Sequence, residues 1–249
     1  MLKISIITAT FNSAATIESS IQSVIQQDYP NKEIIIIDGG STDETLSILS
    51  KYKSHISTLI SEKDKGIYDA LNKGIAAASG DIIAILHSDD FYINNEILSK
   101  VAHAFDKQQC DSVYGNLYYV DKQDTNRIVR KWISGKYKHG KFTHGWMPPH
   151  PAFFAKKSCY DKHGAFNLTL SSSADYELML RFLHKHKIST FYLNEFLVKM
   201  RVGGQSNVTW KNRIKANRED KQAWLLNQLK PSFHTFAFKP LRKIVQFIR

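Results

Sequence analysis

The stretch from Asp81 to Asp90 reads DIIAILHSDD: a charged residue after Ser79-Gly80, five apolar residues from Ile82 to Leu86, and two adjacent carboxylates at Asp89 and Asp90. A short apolar run bounded in this way suits a strand buried on both faces of a parallel sheet. Carboxylates at the carboxyl end of such a strand fall where open α/β sheets bind ligands. Two neighbouring carboxylates repel each other unless a cation or hydrogen-bond donors compensate the charge. The pair is therefore expected to hold a divalent metal on a diphosphate.

The residues on either side extend the same rhythm. Lys3 to Ala9 (KISIITA) reads as a first strand, and Thr10-Phe11-Asn12-Ser13 as its turn. Ile17, Ile21, Val24 and Ile25 then recur at helical spacing, ending before Tyr29-Pro30. Glu33 to Ile37 is a second buried strand, followed by the loop Asp38-Gly39-Gly40. Ser41 and Glu44 have the spacing of a capping box opening a helix with Leu46 and Leu49 inward. His55 to Ser61 is a third strand, and Ile67, Ala70, Leu71, Gly74, Ile75 and Ala78 stripe a third helix. This alternation predicts an α/β fold with a mostly parallel sheet flanked by helices.

Beyond Asp90 the rhythm changes. Asn94 and Asn95 are expected to cap a helix to about Phe105. Short strand pieces follow at Ser112–Tyr114, Leu117–Val120 and Arg127–Trp132, and a loop rich in His, Gly and Pro precedes Ala152–Ala155. A helix is expected from about Ser173 to Lys185, then strands at Ser189–Leu193 and Phe196–Val202, a turn at Gly203–Ser206, and a long basic helix over 209–229.

At 249 residues and 43% hydrophobic the chain can bury a core as one domain plus an appendage. Its two cysteines, Cys110 and Cys159, match no metal spacing and read as free thiols of a reducing cytosol. A strand beginning at Lys3 leaves no room for a signal peptide, and no run reaches the ~18 apolar residues of a membrane span. The net charge of +11 is uneven: residues 207–249 carry +8 and residues 1–206 only +3. The expected division is a body over 1–206 and a basic helical extension over 207–249.

Loops from the ends of the first, second and fourth strands should converge on one edge of the sheet. They carry Thr8, Thr10 and Phe11, then Asp38, then Asp89 and Asp90; a further loop supplies Glu62, Asp64 and Lys65. Asp38 or Asp64 can accept from a base N–H or a ribose hydroxyl, and Phe11 can pack on a base. Adjacent residues at a strand end point in different directions, so one of Asp89/Asp90 can face a ribose while the other binds metal. Taken singly, Asp38-Gly39-Gly40 is also ordinary turn chemistry, and Asp175 after three serines is also a helix cap.

TATFN after the first strand, DGGSTDET after the second, KGIYDALNKGIAAASGD and LHSDD together resemble the nucleotide-binding half of family-2 inverting glycosyltransferases of the GT-A fold. The resemblance continues through HPAFFAKKSCYDKHGAFN, SADYELMLR and GGQSN, and is nearest to small bacterial enzymes that build exopolysaccharides of the colanic-acid type. It implies transfer of a sugar from a nucleotide-sugar donor, UDP first and GDP second, to a glycan or lipid-linked acceptor, with Mn²⁺ or Mg²⁺ as cofactor. Position by position it implies nucleobase contacts at Asp38 and Asp64, ribose and metal carboxylates at Asp89 and Asp90, either of which can bind the metal directly with Asp90 favoured, and a catalytic base at Asp175. His150 and Trp146 are expected on the acceptor side.

Departures from the family pattern stand out. His87 occupies a position where many members carry a third acid, Ala174 one where many carry Glu, and Leu71 one where Arg is frequent. Lys65 or Lys73 is then expected to approach the diphosphate. The Gln-x-x-Arg-Trp motif of processive synthases is missing, so a single addition is expected. In the tail, Leu241, Ile244, Val245 and Ile248 fall on one face of a segment opened by Pro240, with basic residues around them. That pattern suits contact with the anionic inner face of the cytoplasmic membrane, or with a second subunit. Nucleic acid is not an expected partner, because sheet-edge acids repel phosphate without a metal. A non-catalytic nucleotide-sugar binder of the same fold is the alternative.

Overall fold

The isoleucines of the first two strands are buried because helices cover both sides of the sheet they form. The computed structural model describes residues 1–203, 210–232 and 235–236. Strands β1 (Ile4–Thr10), β2 (Lys32–Asp38), β3 (Thr58–Ser61) and β4 (Ile82–Ile85) lie parallel in the order β3-β2-β1-β4. Period-2 alternation sends Ile4, Ile6, Ile34 and Ile36 to one face, with Ile17, Ile21 and Val24 of α1 (Ile17–Ile25) and Leu49 of α2 (Thr45–Ser50). Ile7, Ile35 and Ile37 face the other way, onto Ala70, Leu71 and Ile75 of α3 (Ile67–Ala77). Gly74 permits that contact: a Cβ there would lie 2.3 Å from Ile7 Cγ2.

The second half continues the sheet in mixed sense. After β5 (Asp90–Tyr92) and α4 (Ile97–Gln108) come β6 (Ser112–Val120), β7 (Ile128–Trp132), β8 (Phe153–Lys156) and α5 (Lys157–His163). Helix α6 (Ala174–Met179) runs into a π-helical turn at Leu180–Lys185, followed by β9 (Thr190–Arg201) and α7 (Trp210–Leu226). The full order is β3-β2-β1-β4-β8-β6-β9-β5, with β7 paired to β6. The two longest ladders, β1–β2 and β6–β9, are parallel, so the sheet is mostly parallel by paired residues.

Several local expectations are corrected. The capping box does not form: Ser41 Oγ donates to Asp38 Oδ1 at 2.5 Å, and Asp43 Oδ1 accepts from the Thr45 backbone N–H at 3.0 Å. Ile67 is 45% exposed rather than part of the buried stripe. The pieces at 112–114 and 117–120 are one strand, with its register shifting against β9 around Gly115. A Cβ on Gly115 would sit 2.5 Å from Leu197, so the glycine marks close packing within a strand and not its end. The pieces at 189–193 and 196–202 are likewise the single strand β9.

In the fold, α7 packs on α6: Trp224, 1% exposed, donates Nε1–H to the Tyr176 hydroxyl at 2.9 Å, and Asn227 donates to Glu177 at 2.8 Å. The turn expected at 203–206 beyond Gly203, and the amphipathic segment from Pro240, lie outside the described residues.

Candidate active site

The carboxyl ends of β1, β2 and β4 bring the expected acids to one edge. Asp38 is wholly buried, and its Oδ2 accepts from Gly40 N at 3.1 Å, Ser41 N at 3.0 Å and Ser61 Oγ at 2.7 Å. Those bonds hold the loop after β2, so Asp38 fixes that loop and has Oδ1 capacity left beside Ser41. Asp64 lies over Gly39: a Cβ there would meet Asp64 Oδ2 at 2.6 Å and Phe11 Cδ2 at 3.5 Å. Asp64 Oδ1 accepts from Gly66 N at 2.8 Å, and Phe11 is 53% exposed. An exposed ring beside a fixed carboxylate, over a glycine floor, suits a flat base with N–H donors. Thr10 Oγ1 is buried without a partner, and Thr8 lies buried inside β1, short of the turn where its contact was expected.

Asp90 opens β5 fully buried, and neither of its carboxylate oxygens has a hydrogen-bond partner. Burial, reinforced by the charge of Asp89, pushes its carboxyl well above the usual range. Burial also raises Asp89. An orphaned buried carboxylate beside a second one suits a hard divalent cation, which takes one or two carboxylates together with phosphate oxygens and waters. Among the described residues no group of three His, Cys, Asp or Glu converges as a closed metal site. The chemistry of Asp90 and Asp89 fits a hard divalent cation.

Asp175 reaches the same edge from α6. Its Oδ1 accepts from the Tyr68 hydroxyl at 3.1 Å, and its Oδ2 lies 3.2 Å from His150 Nδ1. His150 Nε2 is 2.9 Å from Nε2 of His87, three residues before Asp90. Burial, then the charge of His150, lowers His87 to about 3, so its ring is neutral. Burial and the Asp175 carboxylate raise the Tyr68 phenol well above its usual value, so it remains a donor.

Several residues were missed or misplaced by the reading of the sequence alone. Lys73 is engaged by Glu62 at 2.7 Å, so it is not free to serve the diphosphate in this arrangement. Arg201, 9% exposed at the end of β9, holds the Asp89 carbonyl at 2.6 Å and Ser19 Oγ at 2.9 Å. Cross-strand register sets Asp90, Met200, Tyr119 and Arg130 in one row, with the Arg130 guanidinium 3.7 Å over the Tyr119 ring. Trp146 is 4% exposed and donates Nε1–H to Ser134 O at 2.8 Å; it anchors the loop from the core side rather than lining an acceptor surface. Glu219 of α7 accepts from Ser171 Oγ at 2.8 Å, Ser172 N at 2.7 Å and Ser173 N at 3.0 Å, just before Asp175. The pairings of Arg201 and Glu219 and the row from Asp90 to Arg130 have no local signal, because they join segments remote in the chain.

Comparison with known proteins identifies the family and the fold. An Escherichia coli protein named UDP-Glc:alpha-D-GlcNAc-diphosphoundecaprenol beta-1,3-glucosyltransferase WfgD is 30% identical over 224 residues, 89% of this chain and 83% of its own. The structure of S. aureus TarS 1–349 in complex with UDP-GlcNAc superposes with a TM-score of 0.70 at 18% identity, covering 98% of this chain and 73% of that one. The mannosyltransferase PcManGT from Pyrobaculum calidifontis, in complex with GDP-Man and Mn²⁺, gives 0.68 at 17% identity over 98% of this chain and 70% of that one. This chain spans 41% of the longer TarS chain that it also matches. At such identities the structures speak for the shared fold, that of GT-A glycosyltransferases. Residues 5–167 match the domain described as Glycosyl transferase family 2, and the chain belongs to that family.

Proposed function

We propose that the protein transfers one sugar from a nucleotide-sugar donor, UDP-linked first and GDP-linked second, to a glycan or lipid-linked acceptor of a bacterial surface polysaccharide, with inversion. The observation that carries this reading is Asp175 standing at the same sheet edge as Asp89/Asp90, joined to the end of β4 through His150 and His87. The acceptor hydroxyl attacks the anomeric carbon, the bond to the diphosphate breaks with its electron pair leaving on the diphosphate oxygen, and Asp175 takes the hydroxyl proton. Phe11, Asp38 and Asp64 orient the base, and Asp89 the ribose. Asp90 and Asp89 would hold a Mn²⁺ or Mg²⁺ ion, which would supply positive charge to stabilise the leaving diphosphate. The relatives' names support a nucleotide-sugar donor, and the name of WfgD supports a diphosphate-lipid acceptor.

The basic chain end is proposed to meet an anionic membrane carrying such an acceptor. No helix among the described residues is long and apolar enough to cross a membrane. The test is a panel of UDP-, GDP- and dTDP-sugars with Mn²⁺ or Mg²⁺, reading the nucleoside diphosphate released. Asp175→Asn should lower kcat about 10²- to 10⁴-fold. Undiminished release by that variant refutes the base.

A further inference from the structure

We infer that His150 is a positioning residue for Asp175, and that His87 holds the far side of the His150 ring. The inference rests on the reading of Asp175 as base. As a base Asp175 must present a carboxylate, which only accepts, so His150 Nδ1, 3.2 Å from Oδ2, must carry a proton. On the far side of the ring, His150 Nε2 lies 2.9 Å from His87 Nε2, so one of the two nitrogens donates and the other accepts. Tyr68 donates to the other oxygen of Asp175 at 3.1 Å, so the carboxylate is gripped on both sides.

The row has a mechanical consequence. His87 belongs to the segment that delivers Asp89 and Asp90, whereas Asp175 starts a helix in the second half of the chain. The two imidazoles are a rigid spacer between the donor side and the base.

Full-length protein labelled with ¹⁵N-histidine tests the arrangement without any transfer assay. Nitrogen shifts, assigned with His150→Gln and His87→Gln, should show His150 protonated at Nδ1. The reverse tautomer at His150 overturns the inference. Kinetics with UDP-glucose, UDP-GlcNAc and GDP-mannose form the second arm. His150→Gln, whose amide reaches toward His87 but not Asp175, should lower kcat about 10- to 100-fold, with donor KM little changed. His150→Asn places an amide donor near the Nδ1 position and should recover most of that loss. Equal losses in both variants, or a defect confined to acceptor KM, overturn the positioning role. Asp175→Asn separates the two levels: full turnover in that variant sinks the base, whereas the tautomers report on the histidine row by themselves.

Discussion

Replacing Asp90 by Asn should stabilise the metal-free protein while removing its response to metal. Asp90 is wholly buried with both oxygens unpartnered, and burial together with Asp89 raises its carboxyl well above the ordinary range. A raised acid pKa means that the folded state holds the proton more tightly than the unfolded chain. The group is therefore neutral in both states below the unfolded value of about 4 and adds no charge penalty there. As pH rises through that value the unfolded chain ionises first, and stability falls by up to roughly 1.4 kcal/mol per pH unit until the folded pKa is reached. An unpaired buried polar or charged group typically costs about 1–3 kcal/mol or more, which sets the expected size at neutral pH. For a chain of this size that is a melting difference of several degrees, at about 2–4 °C per kcal/mol. The assay is thermal unfolding of both proteins from pH 4.5 to 8, with EDTA and with Mn²⁺. The curves should lie nearest each other at pH 4.5, separate further with the Asp90→Asn variant the more stable as pH rises, and approach each other when Mn²⁺ stabilises only the unaltered protein. A gap that does not grow with pH, or equal stabilisation of both by Mn²⁺, overturns this account of Asp90.

Two further outcomes follow from single contacts. Gly39→Ala puts a Cβ 2.6 Å from Asp64 Oδ2, a short polar tip that can swing away. Its stability should change by less than about 1 kcal/mol, whereas donor KM should rise about 5- to 10-fold in initial-rate measurements; an unaltered KM removes Asp64 from the base end. Glu219→Ala strips the acceptor from Ser171, Ser172 and Ser173. Urea unfolding should show a loss of about 2–3 kcal/mol, accompanied by a lower kcat as the start of α6 loosens; a folded variant with normal kcat would leave Glu219 a purely structural role.

Much of the fold was legible because its first half obeys local rules. The runs at 33–37 and 82–86, the helical stripe at 17–25 and the glycine-bearing turns each declare their element over a few residues. Where reading failed, the signal was local but the cause was not. Gly115 looks like a strand end and is instead a site of close packing against Leu197. Ser41 looks like a cap and instead serves Asp38. Trp146 in a His/Pro-rich loop looks exposed, and only the surrounding rings of Tyr114, Tyr137 and Phe142 bury it.

The site divides in the same way. Periodicity and the parallel βα order are enough to place the acids at 38, 64, 89 and 90 along one edge, and both are written in the sequence. What each acid touches was settled by the packing of the folded chain. Asp90 is orphaned because β5 pairs with β9 and draws it into the sheet, 110 residues away along the chain from its partner Met200. Asp175 meets Tyr68 across 107 residues and His150 across the sheet edge. Contacts of that kind arise between distant segments, and no window of sequence contains both partners.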